Sequence, residues 1–336
     1  MAEPAAEVSK SRKKQGLVDK FNRAVPYPIR LLMVGGVGYL LFLQLGVFLG
    51  TSALIYNKLT GAAVDCPYGT ILTMASDQSR LKKLFEDSQQ EAHVIATDPS
   101  NKTVQVKTGE RTFWAQANGS GFDGRQLIAY LLAEHRWMQQ RNPNDQVRAG
   151  DVVVDVGGHV GVFTHFALKR GASKVIAFEP EPNNAECFRR NFKDELASGK
   201  VILVEKGLWS SSGVLKLYTG DNNSGMASMV IKDSEKYFEV PVITLDALVD
   251  ELKIDRVNFI KMDIEGAERE ALAGAMNTLK RFRPMVMLDS YHLPDDPQVL
   301  PGLLQKAHAD YAMSCGPCEL KAEGVHSTSP HVTYYR

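Results

Sequence analysis

The stretch with the clearest chemical meaning is Asp155-Val-Gly-Gly-His-Val-Gly161, which continues an apolar, β-branched segment at residues 152–154. Such a segment predicts a buried strand. Because glycine adopts backbone conformations closed to other residues, the run predicts a tight turn that brings backbone amides close to a ligand at a helix start. Ligands of open parallel sheets bind at the carboxyl ends of the strands. We therefore predict a binding site that contains Asp155, Gly157, Gly158 and Gly161.

The glycine spacing argues against a nicotinamide dinucleotide. The dinucleotide fingerprint requires three glycines with the spacing G-x-G-x-x-G. Counted from Gly157, the second and third glycine positions are His159 and Val162, and counting from Gly158 fails in the same way. The turn therefore lacks the pattern that binds a pyrophosphate.

A carboxylate closes the next apolar segment, residues 174–178, in the sequence Phe178-Glu179-Pro180. A carboxylate at a strand end can accept hydrogen bonds from both hydroxyls of a ribose. Together with the glycine turn, Glu179 predicts a nucleoside ligand. Since no pyrophosphate pattern accompanies it, the economical choice is S-adenosylmethionine (SAM), which has a ribose but no phosphate. The alternative interpretation of Glu179 is an exposed strand-end acid without a ligand.

Strands and helices alternate around these residues and must position them. After Gly150, the predicted strands are residues 152–156, 174–178, 201–204, 257–262 and 285–288. The predicted helices are residues 161–169, 183–196, 245–252 and 267–279. Such alternation predicts an α/β fold with a doubly wound, mostly parallel sheet that helices cover on both faces. Upstream, the pattern predicts a hairpin at residues 103–107 and 111–115 and an apolar helix at residues 126–139.

Five motifs, taken in order, resemble the FkbM-type SAM-dependent methyltransferases, a family of class I methyltransferases. The motifs are Asp155-Val-Gly-Gly-His-Val-Gly161, Phe178-Glu-Pro-Glu-Pro182 followed by Asn191, Thr244-Leu-Asp246, Phe259-Ile-Lys-Met-Asp-Ile-Glu-Gly-Ala-Glu268, and Arg283-Pro284. Each motif alone is weak. Together they extend over residues 150–292 in the order typical of the family, which makes the resemblance specific.

The resemblance implies a Rossmann-like, seven-stranded fold, SAM as the cofactor and, usually, O-methylation of small molecules or sugars. It assigns Asp155, Gly157 and Gly161 to the methionine end of SAM and Glu179 to its ribose. The cofactor that the resemblance implies is thus the same one that the glycine turn and the ribose acid predict.

A general base near the transferred methyl is the remaining part that we expect. Methyl transfer from a sulfonium is an in-line displacement, so the protein positions both reactants and removes a proton from the acceptor hydroxyl. The resemblance places Asp263 and Glu265 at the strand end that faces the methyl. By location and chemistry, the candidate bases are Asp263, which also counts as a cofactor-binding residue, His159 and His292. For His292 the alternative is a surface-loop histidine.

Two positions depart from the family's pattern. Asp289 stands where many relatives have glutamate, and its side chain is one methylene shorter, which reduces its reach toward an acceptor. His159 occupies a turn position where relatives often carry asparagine. The change at Asp289 concerns binding of the methyl acceptor, and the change at His159 concerns the glycine turn.

Charge and cysteine content narrow the range of functions. Lys+Arg and Asp+Glu each number 39, so no overall basic field exists that would attract nucleic acid, and we predict no nucleic-acid partner. The four cysteines are too few and too scattered for the framework of a small disulfide-rich domain. Cys315-Gly-Pro-Cys318 has the spacing of a metal or dithiol site. We favour a turn between the last two strands, with metal binding as the alternative, and predict no metal site.

The amino-terminal part predicts membrane attachment. Residues 1–30 form a basic tail, and residues 31–57 contain no charged residue. A helix of that length, at about 1.5 Å per residue, exceeds the roughly 30 Å hydrocarbon layer of a bilayer. We predict one transmembrane helix and a single-pass membrane protein. Gly46 and Gly50 form a small-xxx-small pair that would let a partner helix approach closely.

The remaining chain divides into two predicted parts. Residues 58–100 form a connector with one polar helix at residues 76–91, and residues 101–336 form the methyltransferase domain. The whole sequence therefore predicts a membrane-anchored SAM-dependent methyltransferase. Its acceptor would be a hydroxyl on a small molecule, a sugar or a lipid.

One alternative function and one conflict remain open from the sequence. The alternative is a noncatalytic methyltransferase-fold subunit of a membrane complex, but retention of both the glycine turn and the ribose acid favours an enzyme. The conflict concerns orientation. Basic residues crowd the amino-terminal side of the span, so the positive-inside rule places the tail in the cytoplasm and the domain outside, whereas SAM is made in the cytosol.

Overall fold

The computed structural model describes residues 66–109, 111–119, 122–219, 225–232, 234–320 and 328–336, together with residues 55, 58 and 59. The predicted basic tail (1–30) and the predicted transmembrane helix (31–57), including Gly46 and Gly50, lie outside the described residues except for residue 55. Within the described part of the chain, no helix combines the length and the apolar character needed to cross a membrane.

The described elements divide into an amino-terminal group and a larger group that forms the central sheet and its surroundings. The first group consists of α1 (Tyr68–Glu91), β1 (His93–Asp98), β2 (Thr103–Lys107), β3 (Thr112–Gln116), β4 (Asn118–Gly119), β5 (Phe122–Asp123) and α2 (Gly124–Arg141). The second group consists of β6 (Val152–Val156), α3 (Val162–Lys169), β7 (Lys174–Phe178), α4 (Pro182–Asn191), α5 (Lys193–Ala197), β8 (Val201–Val204), β9 (Gly207–Leu208), β10 (Gly213–Tyr218), β11 (Tyr237–Ile243), α6 (Leu245–Glu251), β12 (Phe259–Met262), α7 (Glu268–Ala273), α8 (Met276–Phe282), β13 (Met285–Asp289), α9 (Asp296–Ala307), β14 (Met313–Cys315), β15 (Cys318–Leu320), β16 (Thr328–Pro330) and β17 (Val332–Tyr335).

A seven-stranded sheet in the order β14-β17-β13-β12-β6-β7-β8 forms the centre of the fold. Five strands of this sheet run parallel to one another, namely β13, β12, β6, β7 and β8. Strand β17 runs antiparallel to both of its neighbours, β13 and β14. The prediction of a mostly parallel α/β sheet is confirmed. The antiparallel strand β17 comes last in the chain and inserts between β13 and β14.

The sheet is buried on both faces because successive strand residues point to opposite sides. Val152 and Val154 of β6 belong to one apolar core, together with residues of α6, α7, α8 and α9. Val153 belongs to the other core, where Phe188 and Phe192 pack. Helices on both faces explain why the central strands are apolar throughout rather than alternating.

Two predicted helices are each interrupted once. The prediction at residues 183–196 is wrong at Phe192, which separates α4 from α5 and whose ring packs so closely on Gly161 that a β-carbon there would lie 2.0 Å from it. The prediction at residues 267–279 is wrong at Gly274, where a β-carbon would lie 2.0 Å from the carbonyl oxygen of Trp209. In both cases a tertiary contact, which periodicity does not record, ends the helix.

The amino-terminal elements pack on helices that cover the central sheet: β3 contacts α4, and α2 contacts α3. The predicted hairpin is confirmed as β2 and β3, and β1 adds a third antiparallel strand that the sequence analysis missed. Helix α1 begins at Tyr68, earlier than the predicted residue 76, and packs on α2. Arg136 of α2 ties the two helices together by donating to Ser88 Oγ at 3.1 Å.

A disulfide bond joins Cys66, just before α1, to Cys318 at the start of β15. Gly316 and Pro317 turn the chain between β14 and β15, so the predicted turn exists but does not lie between the last two strands. Because Cys318 is oxidised, Cys315 and Cys318 cannot form the dithiol or metal site that their spacing allowed. Cys315 keeps a half-buried thiol.

Candidate active site

A cleft of about 930 Å³, its open mouth included, lies at the carboxyl ends of β6, β7 and β12. This is the edge of an open parallel sheet where ligands bind. One wall comes from α2, including Glu134 and His135, and another comes from the β9–β10 region, including Lys206.

The glycine turn after β6 forms the base of this cleft. Gly157 has a φ of 82°, and a β-carbon there would lie 1.9 Å from the carbonyl oxygen of Asp263. Gly161 has a φ of 93°, and a β-carbon there would lie 2.0 Å from the ring of Phe192. Gly157 and Gly158 line the cleft, whereas Gly161 packs behind it. The turn therefore needs glycine for close approach as well as for its backbone angles.

The backbone amides of the turn are already used within the protein, which corrects our expectation that they face a ligand. The N–H groups of Gly157 and Gly158 both donate to the carbonyl oxygen of Phe178, at 3.1 and 2.8 Å. The N–H of Gly161 donates to Gly158 at 2.8 Å. The N–H groups of these three glycines are therefore not free for a ligand, and the turn contributes a close approach of the backbone to the cleft.

Glu179 lies directly after β7, buried and facing the cleft. Its Oε2 accepts the N–H of His159 at 2.7 Å, and its Oε1 accepts the N–H of Glu181 at 2.9 Å. Burial raises the pKa of Glu179 to about 8, although these two backbone hydrogen bonds favour the charged form. Each oxygen retains a lone pair, so the carboxylate has the acceptors that two ribose hydroxyls require.

Asp155 does not line the cleft. Its carboxylate is fully buried, accepts Thr164 Oγ1 at 2.7 Å and lies 3.5 Å from Lys261 Nζ. Burial raises the pKa of Asp155, against the opposing influence of Lys261 and Thr164. In this position Asp155 supports the glycine turn from behind, through Lys261, rather than touching a cofactor directly.

Lys261 is a site residue that the sequence analysis did not single out. Its Nζ donates to the carbonyl oxygen of Gly157 at 2.7 Å and lies 3.8 Å from Asp263 Oδ2. Burial opposes its charge, but the carboxylates of Asp155 and Asp263 outweigh burial and raise the pKa of Lys261. A permanently charged lysine in the cleft thus joins the ends of β6 and β12.

Asp263 follows β12 and faces the cleft from the side opposite Glu179. Burial works against its ionisation, but the charges of Lys261 and His292 and a hydrogen bond from Asp289 outweigh it and lower the pKa. Asp289 shows the opposite behaviour, because burial and the nearby charge of Asp263 raise its pKa well above the usual range. Asp263 is therefore the ionised member of this pair, and Asp289 holds the proton.

His159 lines the cleft in the left-handed backbone region, with a φ of 49°. This geometry explains the resemblance to relatives with asparagine here, since asparagine adopts that region readily. Burial lowers the pKa of His159 to about 4, so the imidazole is neutral at physiological pH. A neutral imidazole beside Asp263 can accept a proton, but weakly.

His292 lies beside a group of acidic residues and is almost fully buried, which rules out the surface-loop alternative. Its Nδ1 is 3.0 Å from Glu268 Oε1, and its Nε2 is 3.5 Å from Glu265 Oε2. Burial opposes its charge, but the hydrogen bond and charge of Glu268 raise the pKa of His292 to about 10. A cationic ring has no lone pair for a proton, so Asp263 and His159 are the better-placed candidate bases.

Two further residues line the cleft without having been predicted. Glu134 and His135 reach it from α2. They precede the motifs that resemble the family, and on an apolar helix they give no signal of their own. The sequence signal for Lys261 was stronger, since it is a charged residue within an otherwise apolar strand.

Comparisons with known proteins match the segment of the chain that contains this site. Residues 155–312 match the Methyltransferase FkbM domain. Hexuronic acid methyltransferase AglP of Haloferax volcanii is 28% identical over 211 residues, which cover 61% of this chain and 85% of AglP. The 31-O-demethyl-FK506 methyltransferase FkbM of Streptomyces tacrolimicus is 27% identical over 159 residues, which cover 38% of this chain and 61% of that relative.

Among solved structures, the crystal structure of methyltransferase FkbM from Methylobacillus flagellatus KT aligns with a TM-score of 0.43 and 16% sequence identity. The alignment covers 80% of this chain and 62% of that chain. The matched segment, residues 155–312, contains the glycine turn, Glu179 and Asp263. Residues 155–312 therefore carry a SAM-dependent methyltransferase domain of the FkbM type.

Proposed function

We propose that this protein transfers the methyl group of SAM to a hydroxyl group. The observation that carries the proposal is the placement of Glu179 and Asp263. They follow β7 and β12, the two strands that flank β6, and both face one cleft across the glycine turn. A buried carboxylate for the ribose thus faces an ionised carboxylate across the space where the reactants would meet.

The residues of the cleft fit SAM, and different residues would bind the cofactor and accept the proton. SAM, when bound, supplies a methyl group on a positively charged sulfur. Glu179 would accept the ribose hydroxyls, and the narrow turn at Gly157 would let the cofactor lie against the backbone. Asp263 would accept the proton of the acceptor hydroxyl, and Lys261 keeps Asp263 ionised for that purpose. His159, with its low pKa, is the second candidate for this proton.

We further propose a sugar-like acceptor that carries an anionic group. AglP, by its name, methylates a hexuronic acid, which bears a carboxylate. The lining of the cleft in this protein includes the cation Lys206. A lysine ammonium can hold a carboxylate as a point charge while leaving a neighbouring hydroxyl near Asp263.

The test uses purified full-length protein in detergent, methyl-labelled SAM, and matched acid and neutral glycosides as acceptors. We expect a methyl ether on the acid glycoside. Asp263→Asn should lower kcat by about 100- to 10,000-fold, with a smaller effect on SAM binding. Glu186→Gln, which removes a half-exposed carboxylate paired with Arg189, is the control and should change neither. Folded protein that binds no SAM would instead favour the noncatalytic subunit.

We also propose that residues 31–57 anchor the protein in a membrane and that the domain lies on the noncytoplasmic side. The absence of charge over residues 31–57 supports the anchor, and the crowding of basic residues before it supports the orientation. The Cys66–Cys318 disulfide supports the same orientation, because disulfides form and persist in oxidising compartments.

Deletion of residues 1–57 tests the anchor. The truncated protein should appear in the supernatant after a high-salt wash, whereas the full-length protein should stay with the membranes until detergent is added. A truncated protein that still sediments with membranes would show that another part of the chain attaches it.

A further inference from the structure

One histidine and three carboxylates meet at the turn that follows β12. His292 Nε2 lies 3.7 Å from Asp263 Oδ1 and 3.5 Å from Glu265 Oε2. One potential ligand atom from each of these three residues lies within 4.8 Å of the other two. Asp263 and Glu265 also line the cleft, so the cluster borders the space where the reactants would bind.

The environment of His292 resembles that of a metal-binding histidine. Its side chain is only 2% exposed, and its Nδ1 is 3.0 Å from Glu268 Oε1. A carboxylate at Nδ1 keeps a proton there and aims the other nitrogen at the metal in many metalloproteins. Glu268 is itself fully buried and accepts the N–H of Ile264 at 3.0 Å, so its position is fixed.

The second nitrogen of His292 faces the cluster without a hydrogen bond. Nε2 is buried and has no hydrogen-bond partner among the described residues. A charge-assisted hydrogen bond would bring a carboxylate to about 2.7–2.9 Å, which is shorter than either observed distance. Two ligands of one metal ion, each about 2.1 Å from it, are about 3.0–3.4 Å apart. The observed distances of 3.5 and 3.7 Å exceed the hydrogen-bond range and are slightly longer than this ligand spacing, so the three groups leave room for an ion between them.

The turn that carries Glu265 is held in place by the protein. Glu265 and Gly266 both have left-handed backbone angles, with φ of 53° and 94°. Ser228 Oγ donates to the carbonyl oxygen of Glu265 at 2.6 Å. A non-glycine residue in this conformation is uncommon, and the Glu265 carboxylate lies 3.5 Å from His292 Nε2.

We propose that Asp263, Glu265 and His292 bind one small divalent cation at the edge of the cleft, with Glu268 orienting His292. Binding of the ion releases the Nε2 proton that His292 carries in the metal-free protein, which frees this nitrogen as a ligand. One imidazole nitrogen and two carboxylate oxygens suit Mn²⁺, Zn²⁺ or Mg²⁺. Three protein ligands leave coordination positions open toward the cleft. Resting on the proposed function, the acceptor hydroxyl would bind at an open position, where the ion polarises its oxygen and fixes it near the methyl donor. With Asp263 bound to the ion, His159, the second candidate base, would accept the hydroxyl proton. This differs from our prediction of no metal site.

Mn²⁺ is the probe for the test, because its binding can be followed without any enzymatic activity. Full-length protein, purified with a chelator and then freed of it, is titrated with Mn²⁺ while the free ion is measured by electron paramagnetic resonance. We expect one saturable site per chain, and pulsed measurements should detect a directly bound imidazole nitrogen. Excess Mg²⁺ or Zn²⁺ should displace the Mn²⁺.

Four variants locate the site. Glu265→Gln and His292→Gln should each weaken Mn²⁺ binding by tenfold or more, and His292→Gln should abolish the nitrogen signal. Glu268→Gln should weaken binding by about 10- to 100-fold while retaining that signal, because Glu268 orients the histidine and is not a ligand. Asp295→Asn removes an exposed carboxylate paired with Arg269 and should leave binding unchanged.

The test distinguishes this inference from the proposed function. SAM binding is measured on the same samples by calorimetry in the presence of a chelator, which also shows that each variant is folded. Protein that binds SAM but has no saturable Mn²⁺ site, or binds Mn²⁺ without a nitrogen signal, would overturn the metal site and leave methyl transfer standing. Mn²⁺ binding that Glu265→Gln and Asp295→Asn weaken equally would also overturn it.

Discussion

A β-carbon built on Gly157 would lie 1.9 Å from the backbone carbonyl oxygen of Asp263. This contact sets how closely the ends of β6 and β12 approach each other. Because Lys261 donates to the carbonyl oxygen of the same glycine, the position of Gly157 is fixed from two sides. The width of the cleft between the glycine turn and Asp263 therefore depends on the absence of one side chain.

Gly157→Ala should destabilise the protein more than Gly150→Ala. The two glycines have similar φ angles, 82° and 88°, so alanine in either place costs about 1–2 kcal/mol of backbone strain. A β-carbon on Gly150 would meet no atom of the described residues within 4 Å, whereas at Gly157 the clash adds about 1–3 kcal/mol. Denaturant unfolding measures the difference. Equal losses in the two variants would contradict the close approach.

The raised pKa of Glu179, about 8, should appear in the pH dependence of stability without cofactor. A carboxyl with a higher pKa in the folded chain than in the unfolded chain holds its proton more tightly when folded. Its contribution to stability is complete below the ordinary value of 4.5 and is lost as the pH rises through about 8. The free energy of unfolding of wild type minus that of Glu179→Gln should therefore decrease as the pH rises from 4.5 to about 8.

SAM affinity should change with pH in the opposite direction. Two ribose hydroxyls need the acceptors of the carboxylate, so SAM binding should strengthen up to about pH 8, the pKa of Glu179, and level off above it. Calorimetry in buffers with different ionisation enthalpies should detect proton release on binding near neutral pH. Glu179→Gln should lose both the pH dependence and the proton release. Wild-type affinity that stays constant over this range would argue against Glu179 as the ribose acceptor.

Loss of the Cys66–Cys318 bond should weaken the fold. A disulfide that closes a long loop restricts the unfolded chain, and Cys66→Ser should lower the free energy of unfolding by about 2–5 kcal/mol. Cys315→Ser removes a free thiol nearby and serves as the control. Mass spectrometry of non-reduced peptides should find Cys66 linked to Cys318. Recovery of Cys66 as an alkylated thiol from unreduced protein would show that the bond does not form.

The orientation can be read from the sequon Asn101-Lys-Thr103. Asn101 is exposed in the turn between β1 and β2, where its Nδ2 donates to Asp98 Oδ2 at 2.8 Å. With the domain on the lumenal side, expression in a eukaryotic host should add glycan that Asn101→Gln removes. An unglycosylated domain that protease digests on intact, cytosol-facing vesicles would place it in the cytosol instead.

Buried strands were the most predictable part of the fold. Val152–Val156 and Lys174–Phe178 were predicted at their observed bounds, because strands covered on both faces are apolar along their length. Strand β1 was missed because it is largely exposed and its sequence, His93–Asp98, lacks that signature. The interruption at Phe192 depends on packing against Phe188 and Gly161, which no local pattern records.

The sequence predicted which residues form the site better than it predicted the hydrogen bonds and covalent bonds between them. The sequence identified the glycine turn, Glu179 and Asp263, because residue type and strand-end position are local properties. It gave no indication that the amides of Gly157 and Gly158 are used by Phe178, since that depends on how neighbouring strands align. The partnership of Cys66 with Cys318 was hidden for a similar reason, because the two cysteines are separated by 252 residues.

The same bond has a consequence for biosynthesis and turnover. The segment between Cys66 and Cys318 includes the whole of residues 155–312, so a ribosome must have delivered nearly the entire domain before the covalent ring can close. The disulfide therefore forms late, and only in chains whose folding has already brought Cys66 close to Cys318. After closure, a protease that cuts any single loop between the two cysteines leaves both fragments attached, and only reduction separates them.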